Sequence, residues 1–108
     1  MTWAVSYYSE RVKQEVLALP AGIYAAYERL LEVIQIYGPN LKMPHSKAMG
    51  DGLFELRPKG TEGIGRVFYC MQVGRCIVVL HSLVKKTQAT PPAVLRLARK
   101  RLKEVRNG

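Results

Sequence analysis

Glu55, Arg57, Arg66 and His81 are the residues whose types and spacing suggest chemistry, provided that three short segments are strands. Alternation of apolar and branched residues predicts strands over 53–57, 66–73 and 76–83, with Gly74 and Arg75 as a two-residue hairpin turn. That turn sets Val73 opposite Cys76, Met71 opposite Val78, Tyr69 opposite Leu80 and Val67 opposite Ser82, on an apolar face suited to pack against helices. Arg66, Phe68, Cys70 and Gln72 then share the other face with Ile77, Val79, His81 and Leu83, which puts Cys70 and Cys76 on opposite faces as reduced, structural thiols. The simplest register one strand back places Arg57 opposite Arg66, with Glu55 and His81 diagonal to Arg66 on the same open face. Two opposed guanidinium groups repel unless an anion lies between them, and Glu55 can neutralise only one. A phosphate would relieve the remainder. The same residues also read as a surface ion network without a ligand, and a strand histidine such as His81 also reads as a packing residue.

Further cations flank this face. Lys85 and Lys86 follow the last strand, and Lys59 stands just after Arg57. In the final helix Val94, Ala98, Leu102 and Val105 form the apolar stripe, leaving Arg96, Arg99, Lys100, Lys103 and Arg106 as a basic exterior. That exterior can meet RNA phosphates, an acidic segment of a partner, or water. The net charge of +9 is concentrated in the second half: residues 1–37 carry three basic and four acidic side chains, and the rest carry 14 and four. Such a field attracts polyanions, nucleic acid foremost among them.

The elements that must position these groups follow from periodicity. A first strand over 3–8 leads to Ser9 as a helix cap, with Val12, Val16 and Leu19 at helical spacing up to Pro20. A second helix over 21–37 has Ile23, Tyr27, Leu30, Leu31 and Ile34 on one stripe, and Tyr24, Tyr27 and Tyr37 read as packing residues. Residues 40–52, with Lys42, His45 and Lys47, read as an irregular connection in which His45 is given no role. Residues 58–65 read as a flexible loop, whose glycines match no phosphate-binding pattern. Thr90 reads as the cap of a final helix that has proline in its first turn and runs to about Arg106. The expectation is one α+β domain over 1–108, ordered βααβββα, with a small, mainly antiparallel sheet and helices on one face.

At 108 residues one modest core fits, and no apolar run approaches the roughly 20 residues of a membrane span. With no secretory signal visible, a cytoplasmic location is expected. Two cysteines lack the spacing and companion ligands of a zinc site, so no metal is expected.

Taken in order, Leu53-Phe54-Glu55-Leu56-Arg57, Arg66-Val67-Phe68-Tyr69, and Leu80-His81-Ser82-Leu83-Val84-Lys85-Lys86-Thr87-Gln88 followed by Pro91 resemble the phage-derived HigB-like branch of the RelE superfamily of toxins. The resemblance covers most of the chain and includes the element order. It implies the toxin of a type II toxin-antitoxin pair, an endoribonuclease (mRNA interferase) that cuts messenger RNA on the ribosome. It also implies neutralisation by a helix-turn-helix, HigA-like antitoxin, and no cofactor. By position Arg57 and Arg66 look like the arginines that bind the scissile phosphate, and Lys85 and Lys86 like the basic residues after the last strand. Family membership does not fix the roles of Glu55 and His81. The chain ends in Asn107-Gly108, without the C-terminal tyrosine or histidine that some relatives use. Metal-free RNA cleavage needs cations around a phosphorane, a base for the 2′-hydroxyl and an acid for the 5′-oxygen. Arginine forks suit the first task, Glu55 or His81 the second, and Lys85 the third. Two other readings use the same basic face: a non-catalytic RNA- or ribosome-binding module, and a phage accessory protein that docks a partner.

Overall fold

The computed structural model describes residues 3–38, 46–72, 74–85 and 90–108. Nine elements occur in them: β1 (Ala4–Tyr7), α1 (Glu10–Leu17), α2 (Ala21–Tyr37), β2 (Ser46–Gly50), β3 (Leu53–Leu56), β4 (Lys59–Gly60), β5 (Gly63–Gln72), β6 (Cys76–Lys85) and α3 (Pro92–Asn107). The strands form one sheet in the order β1-β6-β5-β3-β2, with β4 paired to β5. Among the described residues only β1 with β6 is a parallel pair.

The helices start and stop where local chemistry directs. Ser9 accepts a hydrogen bond from the Val12 amide at 3.2 Å, so α1 begins at Glu10 and buries Val12 and Val16. The second helix occupies the expected span and buries Ile23, Tyr27 and Ile34. Of its tyrosines, Tyr27 is enclosed and bonds to the Tyr7 hydroxyl at 2.9 Å, whereas Tyr37, read as a packing residue, is 80% exposed.

Both faces of the sheet are apolar, which corrects the expectation of helices on one face. Helices α1 and α2 cover Leu56, Val67, Tyr69, Ile77 and Val79. On the opposite side α3 lays Ala98 and Leu102 over Leu53, Phe68, Cys70, Val78 and Leu80. The burial of every residue from Arg66 to Cys70 explains this, since a strand enclosed on both faces must be covered on both. The face carrying Arg66 is therefore enclosed, not open.

Two strands lie where irregular chain was expected. Ser46–Gly50 pairs antiparallel with β3 through a turn in which Asp51 (φ 55°) and Gly52 (φ 84°) both take left-handed backbone. An Asp-Gly pair is the sequence signal for such a turn. Within the expected loop 58–65, Lys59 pairs with Ile64 and Gly60 with Gly63, so β4 and β5 form a tight hairpin. A Cβ at Gly60 would stand 2.5 Å from the backbone of Gly22 and Ile23, so only glycine lets this hairpin press against the start of α2.

The β5–β6 register departs from expectation near the turn. Gln72 pairs with Cys76, leaving three residues between the strands, and the ladder shifts at Phe68/Tyr69, where Leu80 is the extra residue. The shift restores the expected register beyond it, with Phe68 opposite His81 and Arg66 opposite Leu83. Before it, Cys70 pairs with Val78, so Cys70 and Cys76 share the α3 face and do not lie on opposite faces. Both thiols are free.

Candidate functional site

Strand β3 pairs Leu56 with Val67, and continuing that register brings Arg57 opposite Arg66 at the end of the sheet. Between them lies Glu55. Its Oε1 accepts from Arg57 Nε at 2.6 Å, and its Oε2 accepts from Arg66 Nη1 at 2.8 Å. The carboxylate is fully enclosed, the Arg66 side chain is 4% exposed and that of Arg57 is 22% exposed. One anion thus serves two cations, and the three side chains together retain a net positive charge.

The electrostatics fit this arrangement. Burial by itself raises the Glu55 pKa, but the Arg57 hydrogen bond and the Arg66 charge outweigh it and hold the carboxyl below its ordinary value. The group is ionised at neutral pH. With both oxygens committed and no exposure, it orients the two guanidinium groups.

Thr90 joins the same cluster. Its hydroxyl donates to Glu55 Oε2 at 3.2 Å and accepts from Arg66 Nη1. The expected role of Thr90 as a helix cap is corrected: Pro91 holds the cap position of α3 and no side chain caps it. The sequence signal for its actual role is its place just before Pro91, since the residue ahead of a proline is disfavoured in helical backbone and Thr90 stays outside α3.

His81 is diagonal to Arg66 as expected, but its partners are different. Arg101 Nη1 donates to the Leu80 carbonyl at 2.7 Å and lies 3.4 Å from His81 Nδ1. The same guanidinium stands 4.9 Å from the centre of the Tyr8 ring, and the Tyr8 hydroxyl donates to Glu104. Burial, then the Arg101 charge, lowers the His81 pKa, so the ring is neutral. A guanidinium can only donate, so Nδ1 is the acceptor and Nε2 carries the proton.

The remaining cations divide by what they touch. Arg99 donates to the carbonyls of Met49 (2.8 Å) and Gly50 (3.3 Å), and Arg106 to that of Asp51 (2.7 Å), which pins α3 to the β2–β3 turn. Arg96, Lys100 and Lys103 stand exposed on the outer side of α3. Lys59 is exposed beside Arg57, and both line one depression with Arg29 of α2. The backbone of Lys85 pairs with Ile64 at the end of β6. Its side chain, together with Lys86, Lys42 and His45, lies outside the described residues. Among the described residues no three metal-ligating side chains come together, and no helix is long and apolar enough to cross a membrane.

Comparison with known proteins places this geometry. The fold matches the E. coli toxin RelE, in a doubly substituted form in the free state, with a TM-score of 0.69 and 15% identity over 94% of this chain and 99% of that one. It also matches the archaeal RelE-RelB complex from Pyrococcus horikoshii, with a TM-score of 0.57 and 19% identity over 82% of this chain and 100% of that one. No curated protein sequence matches significantly. Residues 14–103 match the family described as Phage derived protein Gp49-like. That span contains all of the Glu55, Arg57, Arg66 and Thr90 cluster, and the chain is therefore a member of the phage-derived Gp49-like family, built on the fold of the RelE toxins.

Proposed function

We propose that this chain is the toxin of a type II toxin-antitoxin pair, of the HigB-like kind, and that it cuts messenger RNA on the ribosome without a metal. The observation that carries the reading is the enclosed Glu55 carboxylate, which holds Arg57 and Arg66 side by side at the end of a RelE-type sheet.

The chemistry follows from the charges. The 2′-hydroxyl of the substrate attacks the adjacent phosphorus and the 5′-oxygen leaves, so negative charge grows on the phosphorane oxygens. The partly exposed guanidinium of Arg57, already oriented by Glu55, meets those oxygens, and the enclosed Arg66 adds its charge from behind, so that state is lowered in free energy without reorganisation. Glu55 and Thr90 are positioning residues in this scheme. Lys85 and Lys86, at the exit of β6, add cations, and Lys85 gives the proton to the 5′-oxygen. His81 has its acceptor nitrogen turned to Arg101 and does not take the proton from the 2′-hydroxyl, which passes to solvent water as the oxygen attacks. The pH profile of cleavage therefore has no inflection in the histidine range.

The partner in this reading is a helix-turn-helix antitoxin of the HigA-like kind, with an acidic segment that meets the basic second half of the chain; the archaeal relative was solved with RelB. The test is induced expression of the wild type beside Arg57→Ala and Arg66→Ala, following growth and mapping new 5′ ends on cellular messages. Growth arrest with codon-phased ends, lost in both variants at equal protein level, is the expected result. A folded wild type that neither arrests growth nor cuts RNA overturns the reading. In that event the exposed Arg96, Lys100 and Lys103 favour a non-catalytic RNA- or ribosome-binding module.

A further inference from the structure

Arg57 also lines a cleft between α2 and the β4–β5 hairpin. Arg57 lines it together with Arg29, Lys59, Ala26 and Leu30, and its volume is about 190 Å³. That is room for roughly six waters at ~30 Å³ each, enough for a phosphodiester group to enter. The cleft continues past Arg29 and Lys59 along Gly22, Ala25 and Gly60. Small residues line α2 on this side, so the floor stays open between two cations that project from its edges.

Three features mark this cleft as a place for an anion. Arg29 and Lys59 are both exposed, come from separate elements, and form no ion pair among the described residues. The adjacent carboxylate, Glu62, is held at the far end of the cleft, where its Oε2 accepts from the Gly22 amide at 3.0 Å and closes the start of α2. Lys59 is held in place by the β4–β5 hairpin, which Gly60 allows to press against α2. The cleft thus gathers three cationic side chains against the single carboxylate at its far end, and Arg57 joins it to the enclosed Glu55 and Arg66 pair.

We propose that this cleft is a second phosphodiester subsite, in which Arg29 and Lys59 hold the RNA backbone one linkage away from the phosphate at Arg57 and Arg66. The identity of the ligand as RNA rests on the ribonuclease reading; the anion site itself rests on the cleft and its cations. A single strand passing from the sheet end over α2 then meets cations at successive phosphates.

The test measures binding of 2′-O-methyl oligonucleotides, which lack the nucleophile and stay uncut, with one or two phosphodiester linkages. Wild type is compared at several salt concentrations with Arg29→Ala, Lys59→Ala and, as a charge-matched control on α1, Lys13→Ala. The expected result is that Arg29→Ala weakens binding of the two-linkage probe about tenfold and flattens its salt dependence by about 0.7 in log–log slope, the value for one single-stranded phosphate contact. Binding of the one-linkage probe changes less than twofold, and Lys13→Ala changes neither. Equal losses in Arg29→Ala and Lys13→Ala, or equal losses for both probes, overturn the subsite. An unchanged slope in a protein that still cuts RNA removes the subsite and leaves the ribonuclease reading intact. An Arg29-dependent slope in a protein that never cuts RNA does the reverse, and no binding of either probe overturns the subsite.

Discussion

Two arginines on the α3 side of the sheet, Arg66 and Arg101, are satisfied in opposite ways. Arg66 meets an ionised carboxylate that it shares with Arg57, and a hydroxyl from the segment that enters α3. Arg101 meets a carbonyl, a neutral imidazole and an aromatic face. A carboxylate that bridges two guanidinium groups leaves the first centre with a net positive charge. The partners of the second are neutral groups fixed by the sheet, and they tie α3 down at its middle. Two cations of one type, on one face, thus differ in setting because one has an anionic partner and the other does not.

The largest test of this difference is stability. Arg66→Ala leaves Glu55 enclosed with one of its two cations gone, and the expected loss is about 3 kcal/mol in urea denaturation. Arg101→Ala removes a hydrogen bond to a carbonyl and a contact with the Tyr8 ring, and should cost about 1–2 kcal/mol. Equal losses in the two variants would erase the contrast. Thr90→Val, which keeps the shape and removes the hydroxyl, is expected to cost about 1 kcal/mol and to slow cleavage through a loosened Arg66. Slowed cleavage that Thr90→Ser rescues would sharpen the assignment of Thr90 to the first centre.

The smallest effects are in pH. The folded-state pKa of Glu55 is depressed, so its contribution is complete above the ordinary carboxylate pKa of ~4.3 and is lost only as pH falls through the lower folded value. The folded-state pKa of His81 is also depressed, but here protonation is what the fold resists. Below ~6.5 the unfolded chain takes up the proton first, and stability falls as pH drops toward the folded value. Denaturation midpoints between pH 7.5 and 5.5 should therefore fall in the wild type and fall less in His81→Gln, while Glu55→Gln leaves that slope unchanged.

How much of this was legible in the sequence depends on the range of the interactions. Residues Ala21–Tyr37 repeat at helical spacing and end at Gly38-Pro39, and α2 runs over that span. The pairing of Leu56 with Val67, and with it the opposition of Arg57 and Arg66, followed from alternation alone. The missed features depend on one residue more or less. A third residue in the β5–β6 turn and a compensating extra residue at Leu80 changed the faces of Cys70 and Cys76 while leaving Arg66 and His81 where alternation put them. The strand Ser46–Gly50 was hidden by its mixed composition, although Asp51-Gly52 marked its turn. That Glu55 would reach both arginines was not legible, because it depends on side-chain reach across the end of the sheet. The same holds for Arg29, which an amphipathic reading places on a solvated helix face and which the fold sets across a cleft from Lys59.

The most direct measurement is single-turnover cleavage of messenger RNA on programmed ribosomes by wild type, Arg66→Lys and Arg101→Lys. Lysine keeps the charge and removes the planar fork. Arg66→Lys is expected to lose on the order of 10²-fold or more in rate while Arg101→Lys stays within about threefold of wild type. Equal rates for Arg66→Lys and wild type, or equal losses in the two variants, would contradict the assignment of RNA cleavage to the Glu55, Arg57 and Arg66 cluster.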